Sequence, residues 1–256
     1  MEKDPWQRLR AVTAARIALG RAGGSVPTSE LLSFRLAHAQ ARDAVHAPFV
    51  PEELADELQA FCPEVIVAQS AAPDRVTYLQ RPDLGRRLDT ASRAKLLECI
   101  IGDGLDLAII VSDGLSTRAA QEQAPALLFH LLPMLTDWRI GPVVIVRHAR
   151  VALQDEIGEI FRARISLMLL GERPGLGSTD SLGAYFTFAP AVGRTDAERN
   201  CISNIRAGGL APNLAAAKLV NLLAASRRFG ISGVTLKDDS FSLPELPGRV
   251  PATLVW

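Results

Sequence analysis

The apolar residues of this chain change their period twice. Residues 5–20 favour a helix, with Pro5 near its start and Gly20, Gly23 and Gly24 as its stop. Pro27-Thr28-Ser29-Glu30 opens a second helix, where a hydroxyl caps free backbone N–H groups, and it runs to about Val45. A third, Glu52 to Phe61, ends before Pro63. Residues 1–63 thus read as a helical arm without a catalytic cluster. Val65-Ile66-Val67-Ala68 and Val76-Thr77-Tyr78-Leu79 read as short strands around an Ala-Ala-Pro-Asp turn. A basic loop follows, Arg81-Pro82-Asp83-Leu84-Gly85-Arg86-Arg87, then a helix from about Thr90 to Ile101.

From there strands and helices alternate. Leu107 to Val111 is a continuous apolar run, as expected of a parallel strand covered on both faces. Ser112-Asp113-Gly114-Leu115-Ser116-Thr117 turns into a helical stretch that breaks or restarts at Pro125 and ends near Leu135. Val143 to Val146 is the next strand. Leu153, Ile157, Ile160 and Phe161 fall at i, i+4, i+7 and i+8, an amphipathic helix. Ile165 to Leu170 is a further buried strand, Gly171 to Ser178 a Gly/Pro loop, and Asn213 to Phe229 an Ala/Leu helix stopped by Gly230. Strands alternating with helices predict an α/β domain over residues 64–232 with a mostly parallel sheet. Residues 233–256 read as a tail lying on the surface or on a partner.

In an open parallel sheet, ligands bind beyond the C-terminal strand ends. That rule selects Ser112–Thr117, Arg147–Val151 and Gly171–Ser178. The three glycines of Gly171-Glu172-Arg173-Pro174-Gly175-Leu176-Gly177 let backbone approach a ligand, and Glu172 is placed to accept from ligand amides; the alternative is a tight turn with a surface Glu172–Arg173 pair. No Gly-Lys-Ser/Thr and no Gly-x-Gly-x-x-Gly is present, so the loop is neither a phosphate loop nor a dinucleotide fingerprint. Ser112 and Asp113 offer a hydroxyl and a carboxylate, but pattern alone favours an Asx turn with Ser116 as helix cap. Ser112 lies outside any Gly-x-Ser-x-Gly elbow, so a hydrolase triad has no support. Arg147 and Arg150 suit phosphate or carboxylate groups, or are solvated. Cys201 lines a pocket or is a small buried hydrophobe, and no nearby feature makes it a nucleophile.

Composition narrows the classes. With 28 Lys+Arg against 28 Asp+Glu, no global field recruits nucleic acid or an anionic membrane. Apolar residues at 48% and charged at 22% are globular values. Three cysteines, Cys62, Cys99 and Cys201, are too few and too scattered for a disulfide framework, and they point to a reducing, cytoplasmic setting. The four histidines lie far apart, so no metal site is expected. No apolar run reaches the roughly 18 residues of a membrane span, and Met1-Glu2-Lys3-Asp4-Pro5-Trp6 does not start as a signal peptide.

Several segments together resemble one family: Ile110-Val111-Ser112-Asp113-Gly114-Leu115-Ser116-Thr117; Gly158-Glu159-Ile160 followed by the Gly171–Gly177 loop; and Cys201-Ile202-Ser203-Asn204-Ile205 before Gly208-Gly209. Arg81–Arg87 and Gly20-Arg21-Ala22-Gly23 add to the pattern. In this order, over residues 5 to 232, they are similar to the small (light) subunit of ethanolamine ammonia-lyase.

The resemblance implies a Rossmann-like domain that covers the corrin of adenosylcobalamin at an interface with a large TIM-barrel subunit, in a dodecamer of six large and six small subunits. It implies a radical conversion of ethanolamine to acetaldehyde and ammonia in ethanolamine catabolism, with this subunit inactive alone. Carried over residue by residue, the family's cobalamin contacts fall on Val151, Glu172 and Cys201, with Arg150, Ser112 and Asp113 as second choices. None is expected to be catalytic, and none to bind metal. No histidine sits in Asp-x-His-x-x-Gly, since Leu36, Ala44, Leu128 and Val146 stand two positions before the four histidines; the cofactor is therefore expected base-on. Two departures stand out. The chain shows no amphipathic N-terminal extension for a bacterial microcompartment, so encapsulation is expected to rest on the partner or to be absent. His148-Ala149 stands where other members have Tyr-Gly.

Two other readings compete: a stand-alone enzyme for another nucleotide cofactor, which predicts turnover by the isolated chain, and a non-catalytic α/β interaction module, which predicts no response to cobalamin.

Overall fold

A computed structural model describes residues 5–13, 15–62, 64–99 and 104–238. Six strands form one sheet: β1 (Val65–Gln69), β2 (Leu107–Ser112), β3 (Ile140–Arg147), β4 (Ile165–Gly171), β5 (Leu182–Phe188) and β6 (Arg199–Ile205). Their order is β1-β3-β2-β4-β5-β6. The first four are mutually parallel; β5 and β6 continue the sheet antiparallel.

The continuous apolar runs become central strands because both faces are covered. Every residue of β2 and β4 is buried. Leu107, Ile109 and Val111 face a core shared with three helices, α2 (Pro51–Gln59), α5 (Thr117–Leu131) and α7 (Pro212–Phe229). Ala108 and Ile110 face the opposite core, with α4 (Thr90–Glu98) and α6 (Leu153–Ile160). The α/β architecture with a mainly parallel sheet is as the alternation predicts. Leaving β2, the chain crosses by α5 to β3 on one side; leaving β3, it crosses by α6 to β4 on the other. The strand order thus reverses around β2, and the C-terminal ends of β2, β3 and β4 open a crevice there.

Several expectations are corrected. The helix over residues 5–20 is a 3-10 segment only, Pro5–Ala11. The first true helix, α1 (Thr28–His46), has Pro27 at its cap and no hydroxyl cap. Val76–Leu79 is not a strand but lies in a short helix, α3 (Arg75–Gln80). Asp74 outcompetes the β-branched pattern: its Oδ1 accepts from the Thr77 N–H at 2.8 Å, and Tyr78 is buried. α5 runs straight through Pro125, then tightens into a 3-10 turn, Leu132–Met134. Strands β5 and β6, not expected from the sequence, make the sheet mixed. The end expected at Ile101 lies outside the described residues, as do positions 239–256 of the tail; Leu236, just before them, packs into the core.

Candidate functional site

The β2–α5 turn is built around the Asp113 carboxylate. Its Oδ2 receives Arg75 Nη1 at 2.8 Å, and its Oδ1 receives the His148 backbone N–H at 2.8 Å and the Ser112 hydroxyl at 3.1 Å. Ser112 Oγ in turn accepts from the Ala149 N–H at 3.1 Å. Both side chains are buried. Ser112 and Asp113 therefore face inward and hold the next loop; the expected Asx turn is not formed, because the Asp113 carboxylate is taken up by Arg75, Ser112 and His148 while the Leu115 N–H goes to Gly171 O. Ser116 caps α5, accepting from the Ala119 N–H at 3.2 Å.

The β3–α6 turn carries Arg150 and Val151. His148 turns it with φ +60°, and its ring lies 5.8 Å from that of Tyr78. Burial holds the His148 imidazole below its ordinary pKa; the Asp113 carboxylate opposes this, while Arg75 reinforces it. Arg150 stacks its guanidinium 4.2 Å over Tyr78 and donates from Nη2 to Tyr78 O at 3.1 Å. Its backbone N–H donates to Gly85 O at 2.7 Å. A Cβ on Gly85 would meet Arg150 Cγ at 2.8 Å, so only glycine admits this contact. Burial pushes the Tyr78 phenol up to about 12, which keeps it a neutral platform.

After β4, Glu172 is half-buried. Its Oε2 accepts from the Ser181 hydroxyl at 2.5 Å and from the Asn204 N–H at 3.2 Å. Its Oε1 accepts no hydrogen bond from the described residues and lies 2.9 Å from where a Cβ on Gly183 would stand. Cys201 on β6 is the register partner of Tyr185 on β5. Cys201 is exposed by area, yet atoms crowd its sulfur. That crowding, added to the Glu172 charge and opposed by a hydrogen bond with Tyr185, pushes the thiol up to about 11. It is an uncharged thiol at neutral pH, suited to packing and not to nucleophilic attack.

These parts meet in a cleft of about 730 Å³. One wall is Arg150, Val151 and Ala152; the other is Tyr185 and Cys201. Glu172 stands beside the cleft, behind Tyr185, and its charge is felt by Tyr185 and Cys201. The structure thus gathers Arg150, Val151 and Cys201 into one cavity, with Glu172 adjacent and Ser112 and Asp113 as the support beneath. Sequence reasoning missed Arg86, Tyr185, Arg194 and Arg199, which also line it. Only Arg86 carried a signal, as part of the basic loop. At the cleft floor Arg199 binds Asp155 through two 2.7 Å contacts, both side chains almost fully buried. A second cleft, about 630 Å³, lies between α7 and residues 231–238; its lining, part apolar and part polar, holds none of the strand-end loops.

The fold and the site define an α/β subunit of the doubly wound kind, with a cleft at the strand-order switch closed on one side by an antiparallel hairpin. The chain matches the family of the ethanolamine ammonia-lyase light chain over residues 3–237 and belongs to it. It is 54% identical over 242 residues to an ethanolamine ammonia-lyase small subunit of Azotobacter vinelandii, covering 93% of this chain and 90% of that one. It is similar to the small subunit of Pseudomonas paraeruginosa, 52% identical over 255 residues, with 98% and 93% covered. The Xanthomonas campestris pv. campestris counterpart is 51% identical over 242 residues, with 93% and 89% covered.

Proposed function

We propose that this chain is the small subunit of an adenosylcobalamin-dependent ethanolamine ammonia-lyase, covering the corrin at its interface with the large subunit and inactive alone. The observation that carries the reading is the cleft in which Arg150 and Val151 of the β3–α6 turn face Tyr185 and Cys201 of the hairpin, in a chain of this family. When bound, the cofactor supplies the radical chemistry that turns ethanolamine into acetaldehyde and ammonia. Every other role here belongs to positioning.

The residues present fit such a group. A corrin is broad and apolar with an amide fringe. Val151 already packs against the core and extends that apolar surface into the cleft. Cys201, held as a neutral thiol, adds a polarizable contact. The spare Glu172 Oε1 accepts from a fringe amide. Arg150 lines the cleft with no carboxylate partner among the described residues, a cation for a polar group of the ligand. His148 lies outside the cleft lining, against Tyr78 and Asp113, which supports a cofactor bound base-on, with no protein imidazole on cobalt.

The large subunit has a surface to meet. α1 exposes Leu31, Leu32, Phe34 and Leu36. Its C-terminal end is tied to the strand-end loops by Arg75 Nε donating to Val45 O at 2.7 Å and Thr117 Oγ1 donating to Ala47 O at 3.0 Å. An assembly of six large and six small subunits, working in the cytoplasm, completes the reading; free Cys62, Cys99 and Cys201 suit that reducing compartment. Among the described residues no helix is long and apolar enough to cross a membrane.

Reconstitution tests it. Acetaldehyde is followed in a coupled assay with adenosylcobalamin, ethanolamine, this chain and its large subunit, together and apart. Activity only in the mixture is expected. No activity in a mixture that demonstrably forms a complex overturns the assignment.

A further inference from the structure

Resting on the cobalamin reading, we infer that Arg86 and Arg150 form an anion subsite in the cleft that takes the phosphodiester of the cofactor's nucleotide loop. Four arginines line the cleft, Arg86, Arg150, Arg194 and Arg199, against one carboxylate, Asp196. Two are already matched. Arg199 is held by Asp155 at 2.7 Å, with Asp196 3.4 Å from its Nε. Arg194 reaches Glu198 at 2.5 Å and gives its remaining donors to Ala189 O. Arg86 and Arg150 have no carboxylate partner among the described residues.

These two guanidinium groups are carried by segments locked to each other. The Arg150 N–H donates to Gly85 O, one residue before Arg86. Arg150 is fixed over Tyr78 and donates to Tyr78 O, so its guanidinium is held in place at the cleft wall. Arg86 is exposed and free to close over a ligand. Two unmatched cations lining one cleft are stabilised by an anion held between them, and a guanidinium fork matches phosphate oxygens. Protonated ethanolamine is a cation, so these arginines disfavour the substrate and select the cofactor. The amide fringe of a corrin is neutral; the phosphodiester is the anionic group that cobalamin offers.

The test compares two ligands on the complex of this chain with its large subunit. Cyanocobalamin carries the phosphodiester. Dicyanocobinamide keeps the corrin and amide fringe and lacks it. Binding is read by difference absorption, without turnover. Arg86→Gln is expected to weaken cyanocobalamin about tenfold and to leave dicyanocobinamide unchanged. Arg86→Lys, which keeps the charge, is expected to recover most of the loss. Since Arg86 is exposed and unpaired, neither substitution removes a contact that the fold needs. Equal weakening of both ligands, or of neither, overturns the subsite. So does competition by inorganic phosphate in a wild-type complex that binds the two corrinoids alike, which would mark a free-anion site. A wild-type complex that binds neither corrinoid brings down the cofactor reading itself, and the subsite with it.

Discussion

The Asp113 carboxylate holds the backbone N–H of His148 at 2.8 Å, across 35 positions of sequence. This bond joins the end of β2 to the end of β3, and the same carboxylate binds Arg75 of α3. Removing it breaks a buried pair and orphans a buried N–H. Asp113→Ala is expected to cost about 3 kcal/mol in denaturant unfolding, and to loosen the loop that presents Arg150 and Val151. Asp113→Asn, which keeps the acceptor for His148, is expected to cost less. A loss below about 0.5 kcal/mol for the alanine variant, the level of an ordinary surface change, would show that the hub does not hold these loops.

Gly114 sits at φ +50°, and a Cβ there would meet Gly171 O at 2.3 Å. Both the backbone and the space forbid a side chain. Gly114→Ala is expected to destabilise by about 2 kcal/mol or more and to push the ends of β2 and β4 apart. Thermal unfolding reads this directly, and an unchanged midpoint would contradict it.

Glu172 gives one oxygen to Ser181 and Asn204, while its other oxygen, near Gly183, accepts no hydrogen bond from the described residues. Glu172→Ala removes both; Glu172→Gln keeps a carbonyl acceptor in place. Corrinoid affinity of the complex is expected to fall about tenfold in the alanine variant, one charged hydrogen bond's worth, and by less with glutamine. Equal affinities in all three proteins would exclude Glu172 from contact.

Acid sensitivity follows from His148. Burial lowers its pKa in the folded state beneath the ordinary 6.5. Just below pH 6.5 the unfolded chain binds a proton that the folded chain does not. Stability therefore falls as pH drops through that interval, and levels off below the folded value. The groups facing it are Asp113 and Asp74, which oppose the shift, and Arg75 and Arg147, which strengthen it. His148→Asn, a residue that tolerates positive φ, is expected to flatten the stability profile between pH 7 and 5. An identical slope in the variant would assign the acid sensitivity elsewhere.

What the sequence made legible was the part governed by local pattern. Leu107–Val111 and Ile165–Leu170 are apolar without interruption because both faces are covered, and that signature has few other sources. The rule that ligands gather at strand ends then picked out the loops carrying Arg150, Val151 and Glu172. The hairpin escaped because its pattern is diluted. Leu182-Gly183-Ala184 begins β5 with small residues, and β6 reads Arg-Asn-Cys-Ile-Ser-Asn-Ile, mostly polar and exposed in its middle. Tyr185, Arg194 and Arg199 reach the cleft only through that long-range pairing. Cys201 was reached through the family resemblance, while the inward turn of Ser112 and Asp113 depends on a partner loop that no local window contains.

The bond from Asp113 to His148, the Ser112 contact to Ala149 and the Leu115 N–H donated to Gly171 O at 2.8 Å join three loops into one plate. Such a plate has no independent leaves. A ligand pressing on Val151 loads β2 and β4 as well, and the opposite wall shares that load, since β5 is paired to β4 and Arg199 of β6 is bound to Asp155 of α6. The floor and both sides of the cleft act together as an anvil.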